Sequence, residues 1–255
     1  MSSTPPANRA SLRTAFWVLL LVVLTCGLVF GAFAQIQYRW NWEGFWPNRL
    51  LFVQGWLTTL GICAGAMVIC LGGGFALMLG SRAPWEPVRL ASRGYIAIVR
   101  ATPLLVQLLI GYYVVANALK IHDSIVVGML LLGLFEAAYL AEIFRGALES
   151  IGQSQREAAR AVGFSTAQTY RFVLIPQAIR RALPGTTGEL VSLVKNSSLL
   201  SVLGIEEITQ ITRLINSRSY TALEGFIPLA LAYLAVTLPL SWAARLLERR
   251  FAYET

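Results

Sequence analysis

Residues 156–184 read REAARAVGFSTAQTYRFVLIPQAIRRALP, a polar stretch that carries five arginines. The chain around it is apolar: of its 255 residues, 56% are hydrophobic and 13% are charged. The mean hydropathy is +0.61, whereas a soluble domain has about 25% charged residues. The composition therefore predicts an integral membrane protein whose basic stretch lies outside the bilayer.

Apolar runs predict where the chain crosses the membrane, since a spanning helix needs about 20 mainly apolar residues. Uncharged runs of about this length occupy 14–38, 55–80, 101–119 and 225–244, and weaker candidates occupy 124–147 and 187–205. The weaker candidates include charged residues, among them Glu136, Glu189 and Lys195. Accepting all of these runs predicts an all-α integral membrane fold with about six transmembrane helices.

Lysine and arginine are unevenly distributed, and the net charge is +8. With a cytoplasmic N-terminus, inner segments hold 14 of the 21 cationic residues and outer loops hold five. Arg100 and Lys195 lie within or beside spans. Because cytoplasmic loops are enriched in Lys and Arg, both termini are predicted to be cytoplasmic. Membrane lipid, and no nucleic acid, is the partner expected for this basic charge.

The N-terminal region is predicted to be a cytoplasmic tail, residues 1–14, followed by an accessory transmembrane anchor, residues 15–34. A secretory signal peptide has an apolar core of roughly 7–15 residues. The uncharged run here is longer, which favours an uncleaved anchor. Cleavage after the small residues Ala32 and Ala34 is the alternative.

The sequence lacks the signatures of catalysis and metal binding. Cys26, Cys63 and Cys70 lie inside apolar runs without paired spacing, and His122 is the single histidine. The motifs of a nucleotide-binding P-loop, a serine hydrolase and a zinc protease do not occur. We therefore predict that the chain is not an enzyme and that it binds no metal and no cofactor itself.

Turn signals divide the basic stretch into short helices. A helix is expected over 155–162, ended by Gly163 in the left-handed conformation. Ser165 and Gln168 have the S-x-x-Q spacing of a capping box, so a second helix is expected to begin there. Pro176 is expected to start a third helical piece, residues 177–183, which Pro184 closes.

The first of these helices carries a small apolar surface within a charged rim. Its apolar members are Ala158, Ala159, Val162 and Phe164, and the rim consists of Arg156, Glu157 and Arg160. Such a surface is suited to insertion into a cleft of another protein. A loop lying on anionic lipid would also be favoured by the arginines, and the residues alone leave both interpretations open.

The same segment resembles the cytoplasmic loop of the membrane-spanning subunits of ATP-binding-cassette (ABC) importers. That loop carries E-A-A, three residues, G, nine residues and then I-x-L-P. The matching positions are Glu157, Ala158, Ala159, Gly163 and the run Val173-Leu174-Ile175-Pro176. Only Val in place of Ile and Ile in place of Leu depart from the pattern.

Further stretches resemble the polar amino-acid branch of this family, the histidine, glutamine and glutamate type. They are RATPLLVQL at 100–108, AYLAEIFRGALES at 138–150 and GELVSLVKNSSLLSVLGIEE at 188–207. The resemblance covers roughly residues 50–250 and implies a type I importer bundle there. It also implies that residues 148–184, called the basic loop below, contain a coupling helix that contacts the ATPase.

The resemblance implies a set of partners and a location. They are a cytoplasmic ATPase dimer that binds ATP and Mg²⁺, a second permease subunit, and a periplasmic amino-acid-binding protein. The second subunit is either a copy of this chain or a sister chain. The implied location is a bacterial inner membrane. The residues expected to couple transport to the ATPase are Glu157, Ala158, Ala159, Gly163 and Pro176.

A substrate site is expected at membrane depth, where ionisable groups are costly and usually functional. Glu136 lies near the centre of its span, and Tyr139 shares its helix face. Glu136 is a candidate for the substrate ammonium group, and Arg100 for the substrate carboxylate. The alternative is a buried ion pair of Glu136 with Lys195 or Arg100 that only joins helices.

The remaining candidates are neutral hydrogen-bonding groups. Gln107 and Asn196 are expected either to touch the substrate, together with Lys195, or to join helices. The branch commonly has Asp at the position of Asn196. The stretch FEAAY at 135–139 resembles permeases for acidic or general L-amino acids, and a cationic amino acid is the alternative substrate.

An ion-coupled secondary transporter is a competing class of function for a polytopic chain. Such transporters are commonly built from inverted repeats. No internal repeat is visible in this sequence. The basic loop would also have no evident purpose in a transporter without an ATPase.

Overall fold

The computed structural model describes residues 7–35 and 38–251, and every regular element among them is helical. The chain divides into two compact units, residues 1–41 and 42–255. The first contains helix α1, Ala7–Gln35. Part of the predicted tail, residues 1–6, and the C-terminal residues 252–255 lie outside the described residues. The predicted boundaries of tail, anchor and transport domain stay predictions.

The second unit contains the remaining helices. They are α2 (Trp42–Phe45), α3 (Arg49–Gly80), α4 (Glu86–Ala101), α5 (Leu104–Ile110), α6 (Ser124–Glu149), α7 (Gln153–Ala161), α8 (Thr166–Gln168), α9 (Ile175–Asn196), α10 (Ile208–Ser219) and α11 (Leu223–Phe251). Turns of 3₁₀-helix occupy Trp46–Asn48 and Ser197–Leu203, and π-helical turns occupy Gly111–Ala116 and Thr169–Leu174.

Three helical stretches among the described residues are long and apolar enough to cross a bilayer. They are Trp42–Gly80, Ser124–Glu149 and Leu223–Leu246. The segments Glu86–Ala101 and Leu104–Ala116 meet at an angle of 113° and form either a broken fourth span or a re-entrant loop. The all-α membrane fold is confirmed, and the number six stays a prediction.

The span predicted over 187–205 does not coincide with one helix of the structure: α9 ends at Asn196, and 3₁₀ turns follow it. Helix α9 begins at Ile175 and passes through Pro184 without interruption. The prediction that Pro184 closes the third helical piece was therefore wrong. A proline inside a helix removes one backbone hydrogen bond, and packing against α6 compensates for this loss. At Gly185 a Cβ atom would lie 2.8 Å from the Ile143 side chain, so α9 and α6 are in close contact beside the proline.

Small residues allow α3 and α6 to pack closely. A Cβ at Gly74 would lie 2.8 Å from Cβ of Leu140, and one at Gly133 would lie 2.7 Å from Cβ of Ile69. Ala137 lies between these positions and is fully buried. The core of the second unit is consequently centred on α3, α6 and α9.

Replacing Gly133 with alanine is expected to destabilise the protein by about 1–3 kcal/mol, because the added methyl group overlaps the Ile69 side chain and the α3 backbone. Thermal unfolding of the purified protein in detergent measures the effect. Gly72→Ala is the control, since a Cβ there meets no atom within 4 Å. Equal unfolding temperatures for the two variants would contradict the close approach of α3 and α6.

Candidate functional site

The first helix of the basic loop, α7, ends in a Schellman motif. Gly163 has φ +83°, in the left-handed region that favours glycine. Its N–H donates to the Arg160 carbonyl at 2.9 Å, and the N–H of Phe164 donates to the Ala159 carbonyl at 3.0 Å. The predicted left-handed glycine is confirmed, and it sets the angle at which the chain leaves α7.

The second helix begins with the predicted capping box. The Ser165 hydroxyl accepts a hydrogen bond from the Gln168 N–H at 3.3 Å. The Gln168 side chain accepts one from the Ser165 N–H at 2.8 Å. Helix α8 then continues through the π-helical turn into α9, whose first turn contains Pro176. Proline has no backbone N–H, so this position requires no hydrogen-bond acceptor.

Contacts between its two sides hold the basic loop in shape. Leu148, Ile151 and Leu174 form a buried cluster. The Gln177 amide donates to the Gln155 side chain at 3.3 Å. Arg181 donates to the backbone carbonyl and to the hydroxyl of Ser150. The loop is therefore a folded unit fixed to the ends of α6 and α9.

The exposed face of the basic loop differs from the predicted one at two residues. Val162 is 71% exposed, and Ala158 and Phe164 are also exposed. Ala159, however, is 4% exposed. Successive residues of a helix point about 100° apart, and Ala159 faces the interior of the loop. Phe172, 58% exposed, supplies an apolar side chain to this face that the sequence interpretation missed.

Glu157 is accessible beside this apolar face. Its carboxylate accepts a hydrogen bond from the Gln153 side chain at 2.9 Å, one helical turn earlier. Glu157 also lines a surface cavity of about 380 Å³, together with Arg156, Arg160 and Glu149. A charged rim around exposed apolar side chains is the arrangement expected of a protein-docking surface.

At membrane depth the structure brings together Glu136 and Asn196. Glu136 is 1% exposed. Its Oε1 accepts a hydrogen bond from the Asn196 side-chain amide at 2.9 Å. Its other carboxylate oxygen is buried and has no hydrogen-bond partner among the described residues. This contact joins α6 to the end of α9.

A second carboxyl group, from Glu189, approaches the first. Its side chain lies close enough to Glu136 for a direct contact between the two carboxyl groups. Cys70 of α3 lies near both of them. Glu189 precedes Asn196 by seven residues, or about two helical turns, and shares its helix face. This spacing is visible in the sequence, but Glu189 was not among the predicted substrate residues.

Arg100 and Tyr139 lie together at a different place. Arg100 forms an ion pair with Glu142 at 3.0 Å, and its guanidinium lies 5.7 Å from the centre of the Tyr139 ring. No ion pair involving Glu136 occurs in the described part of the chain, and the side chain of Lys195 is exposed. The alternative of a helix-joining ion pair between Glu136 and Arg100 or Lys195 was therefore wrong.

Gln107 stabilises the break between α4 and α5. Its amide donates to the Val99 carbonyl at 2.8 Å and to the Thr102 hydroxyl at 2.6 Å. It thereby satisfies a carbonyl that the end of α4 leaves without an intrahelical partner. Of its two predicted alternatives, substrate contact and a structural bond, the geometry favours the structural bond.

A family model described as "Binding-protein-dependent transport system inner membrane component" matches residues 72–253. The chain belongs to this family. It is 36% identical over 220 residues to the glutamine transport system permease protein GlnP of Escherichia coli (strain K12). This alignment covers 83% of the chain and 98% of that protein.

Two further comparisons agree with this assignment. The permease is 38% identical over 198 residues to the octopine transport system permease protein OccM of Rhizobium radiobacter, covering 74% of the chain and 80% of that protein. A crystal structure of an amino acid ABC transporter with histidines matches with a TM-score of 0.77 and 32% identity. That match covers 84% of the permease and all of the solved chain. The type I permease fold and the resemblance to amino-acid ABC permeases are thus confirmed.

Gly163→Val is expected to disrupt the end of α7, because a β-branched residue in the left-handed region costs about 1–2 kcal/mol or more. Space is no constraint, since a Cβ at Gly163 meets no atom within 4 Å. Hydrogen exchange of the amides of Gly163 and Phe164 measures the loss of protection. Gly163→Asn, which tolerates this conformation, is the control and should keep the protection. Unchanged exchange in the valine variant would contradict the conformational role of Gly163.

Proposed function

We propose that this permease subunit of an amino-acid ABC transporter takes up polar amino acids, neutral or cationic, along a path that passes Glu136. A separate ATPase that docks on the basic loop drives the uptake. The observation that carries the proposal is the buried Glu136 carboxyl group, which has an oxygen without a hydrogen-bond partner of normal geometry among the described residues and lies beside a second carboxyl group.

A carboxyl group at this depth favours a cationic hydrogen-bond donor, since an unpaired charge in an apolar environment is costly. The α-ammonium group of an amino acid is such a donor. Its N–H groups would satisfy the free oxygen of Glu136 and reduce the repulsion from Glu189. Every amino acid has this group, so it explains transport of amino acids in general.

The side chain of the substrate is constrained by the same charges. A glutamate or aspartate substrate would bring an additional carboxylate toward Glu136 and Glu189, and Arg100 is directed to Glu142 instead. Two carboxyl groups therefore favour a neutral polar or cationic substrate over the acidic class that FEAAY suggests. The relatives named for glutamine and octopine support a polar amino acid or a derivative of one.

Helix α9 supports the coupling of the basic loop to the substrate path. It extends without a break from the loop to Asn196, which contacts Glu136. A displacement of the loop by the ATPase would be transmitted by a rigid helix, whereas a flexible connection would absorb it. The proposed coupling residues are Glu157, Ala158, Gly163 and Pro176. The buried Ala159 packs on the inner side of α7 and helps to hold this helix in place.

The proposed assembly follows from the family and from the charge distribution. It consists of this permease, a second copy or sister permease, an ATPase dimer that binds ATP and Mg²⁺, and a periplasmic amino-acid-binding protein. The basic loop and both termini face the cytoplasm of a bacterium, so the permease lies in the inner membrane. Positive charge on the inner segments supports this orientation.

Glu136→Gln is expected to reduce uptake of glutamine and arginine by about tenfold or more, because an amide NH₂ group replaces a carboxyl oxygen that accepts from the ammonium group. Uptake is measured in proteoliposomes that contain the complete complex and its binding protein. Glu86→Gln is the control, since Glu86 is an exposed carboxylate on α4. Normal uptake by Glu136→Gln would exclude this residue from the path. Preferred uptake of glutamate by the native complex would contradict the proposed substrate class.

Glu157→Lys is expected to abolish uptake while the permease still inserts into the membrane, since the reversed charge faces the proposed docking surface. ATP hydrolysis stimulated by the binding protein provides the second measurement and should also be lost. Thr166→Lys adds a lysine at an exposed position of the same loop and should retain both activities. Full activity of Glu157→Lys would contradict the docking role of Glu157.

A further inference from the structure

A cavity of about 340 Å³ lies between the ends of α3 and α6 and one face of α4. We call it the arginine pocket. Its charged lining residues are Arg82, Arg93, Arg100, Arg145, Glu142 and Glu149. Four arginines against two glutamates give the pocket an excess of positive charge.

The two carboxylates of the arginine pocket are already shared between arginines. Glu149 pairs with Arg82 at 2.7 Å and with Arg145. Glu142 pairs with Arg145 at 2.8 Å and with Arg100 at 3.0 Å. Each carboxylate therefore contacts two guanidinium groups, and the excess charge is left without a counterion inside the pocket.

Hydrogen-bond donors also remain in excess, since each guanidinium has five N–H groups in a planar fork. Arg93 forms no ion pair in the described part of the chain, and its Nε donates to the Ser81 carbonyl at 3.0 Å. The Nε of Arg82 is buried and has no hydrogen-bond partner within the described ranges. Spare donors and net positive charge in one cavity favour an anionic ligand with several acceptor oxygens, as a phosphate group has.

The surroundings of the arginine pocket indicate where this phosphate comes from. The pocket is also lined by the apolar side chains of Ile96 and Ala97. On the same helix, Leu90 and Ile98 are largely exposed, and Trp85 is exposed just before it. An amphipathic helix with exposed apolar residues, arginines and a tryptophan is typical of the membrane interface. A soluble anion would gain nothing from these apolar groups, whereas a lipid would.

We propose that the arginine pocket binds the phosphate group of an anionic membrane lipid in the leaflet on the side of the basic loop. Arg93 and Arg82 bind the phosphate oxygens, and the glycerol and the first methylene groups contact Ile96 and Ala97. Basic pockets between helices on the cytoplasmic side are suited to such headgroups. The proposal does not depend on which amino acid the permease transports.

The test uses the full-length permease in a neutral detergent and short-chain dioctanoyl phosphatidylglycerol as the probe. Native mass spectrometry over a lipid titration gives the dissociation constant. Arg93→Gln is expected to weaken binding about tenfold or more, since it removes charge-assisted hydrogen bonds. Arg89→Gln is the matched control and should stay within about twofold of the native protein. Arg89 lies one turn away on α4, pairs with Glu86 and does not line the pocket.

Further measurements distinguish the sources of phosphate without any variant. Dioctanoyl phosphatidylcholine, which has no net charge, should bind much more weakly than dioctanoyl phosphatidylglycerol. Inorganic phosphate should not displace the lipid at equal concentration. Displacement by inorganic phosphate would overturn the lipid assignment in favour of a soluble anion. Equal losses of lipid affinity in Arg93→Gln and Arg89→Gln, or equal binding of both lipids, would overturn the proposal that the arginine pocket binds an anionic lipid.

Discussion

The contact between Glu136 and Asn196 is the interaction on which the proposed mechanism depends. It joins α6 and α9 deep in the helical core. The same two helices are joined again at their other ends by the basic loop. A polar bond inside the membrane and a folded loop outside it therefore constrain one pair of helices at two levels. Movement at one level without movement at the other would break a buried hydrogen bond or distort the packed loop.

Charge is arranged along α6 according to depth. Near its middle, carboxyl groups meet a neutral amide, and an uncompensated oxygen remains. Toward the basic loop, Glu142, Arg145 and Glu149 form a network with Arg82, in the turn that follows α3, and with Arg100 of α4. Ion pairs are less costly close to water than at mid-depth. The network thus links the helix ends, whereas the deeper carboxyl group keeps an oxygen that has no hydrogen-bond partner among the described residues.

Local sequence signals predicted the conformation of the basic loop but not its surroundings. Gly163 and the Ser165–Gln168 capping box act within a few residues, so their spacing was enough to predict them. The path of α9 through Pro184 depends on packing against α6, a contact that the sequence does not show. Arg100 was assigned to the substrate carboxylate, but its partner Glu142 lies 42 positions along the chain. Contacts of this range are fixed by helix packing, which single-sequence patterns do not encode.

Because α9 runs without interruption, the distance between its two anchor residues, Arg181 and Asn196, is fixed. Arg181 holds one end to Ser150, and Asn196 holds the other to Glu136. One residue inserted between them would advance Asn196 by about 1.5 Å and turn it by about 100°. Its amide would then face a different neighbour. Related permeases that share both anchors are therefore expected to keep the interval between the anchors constant.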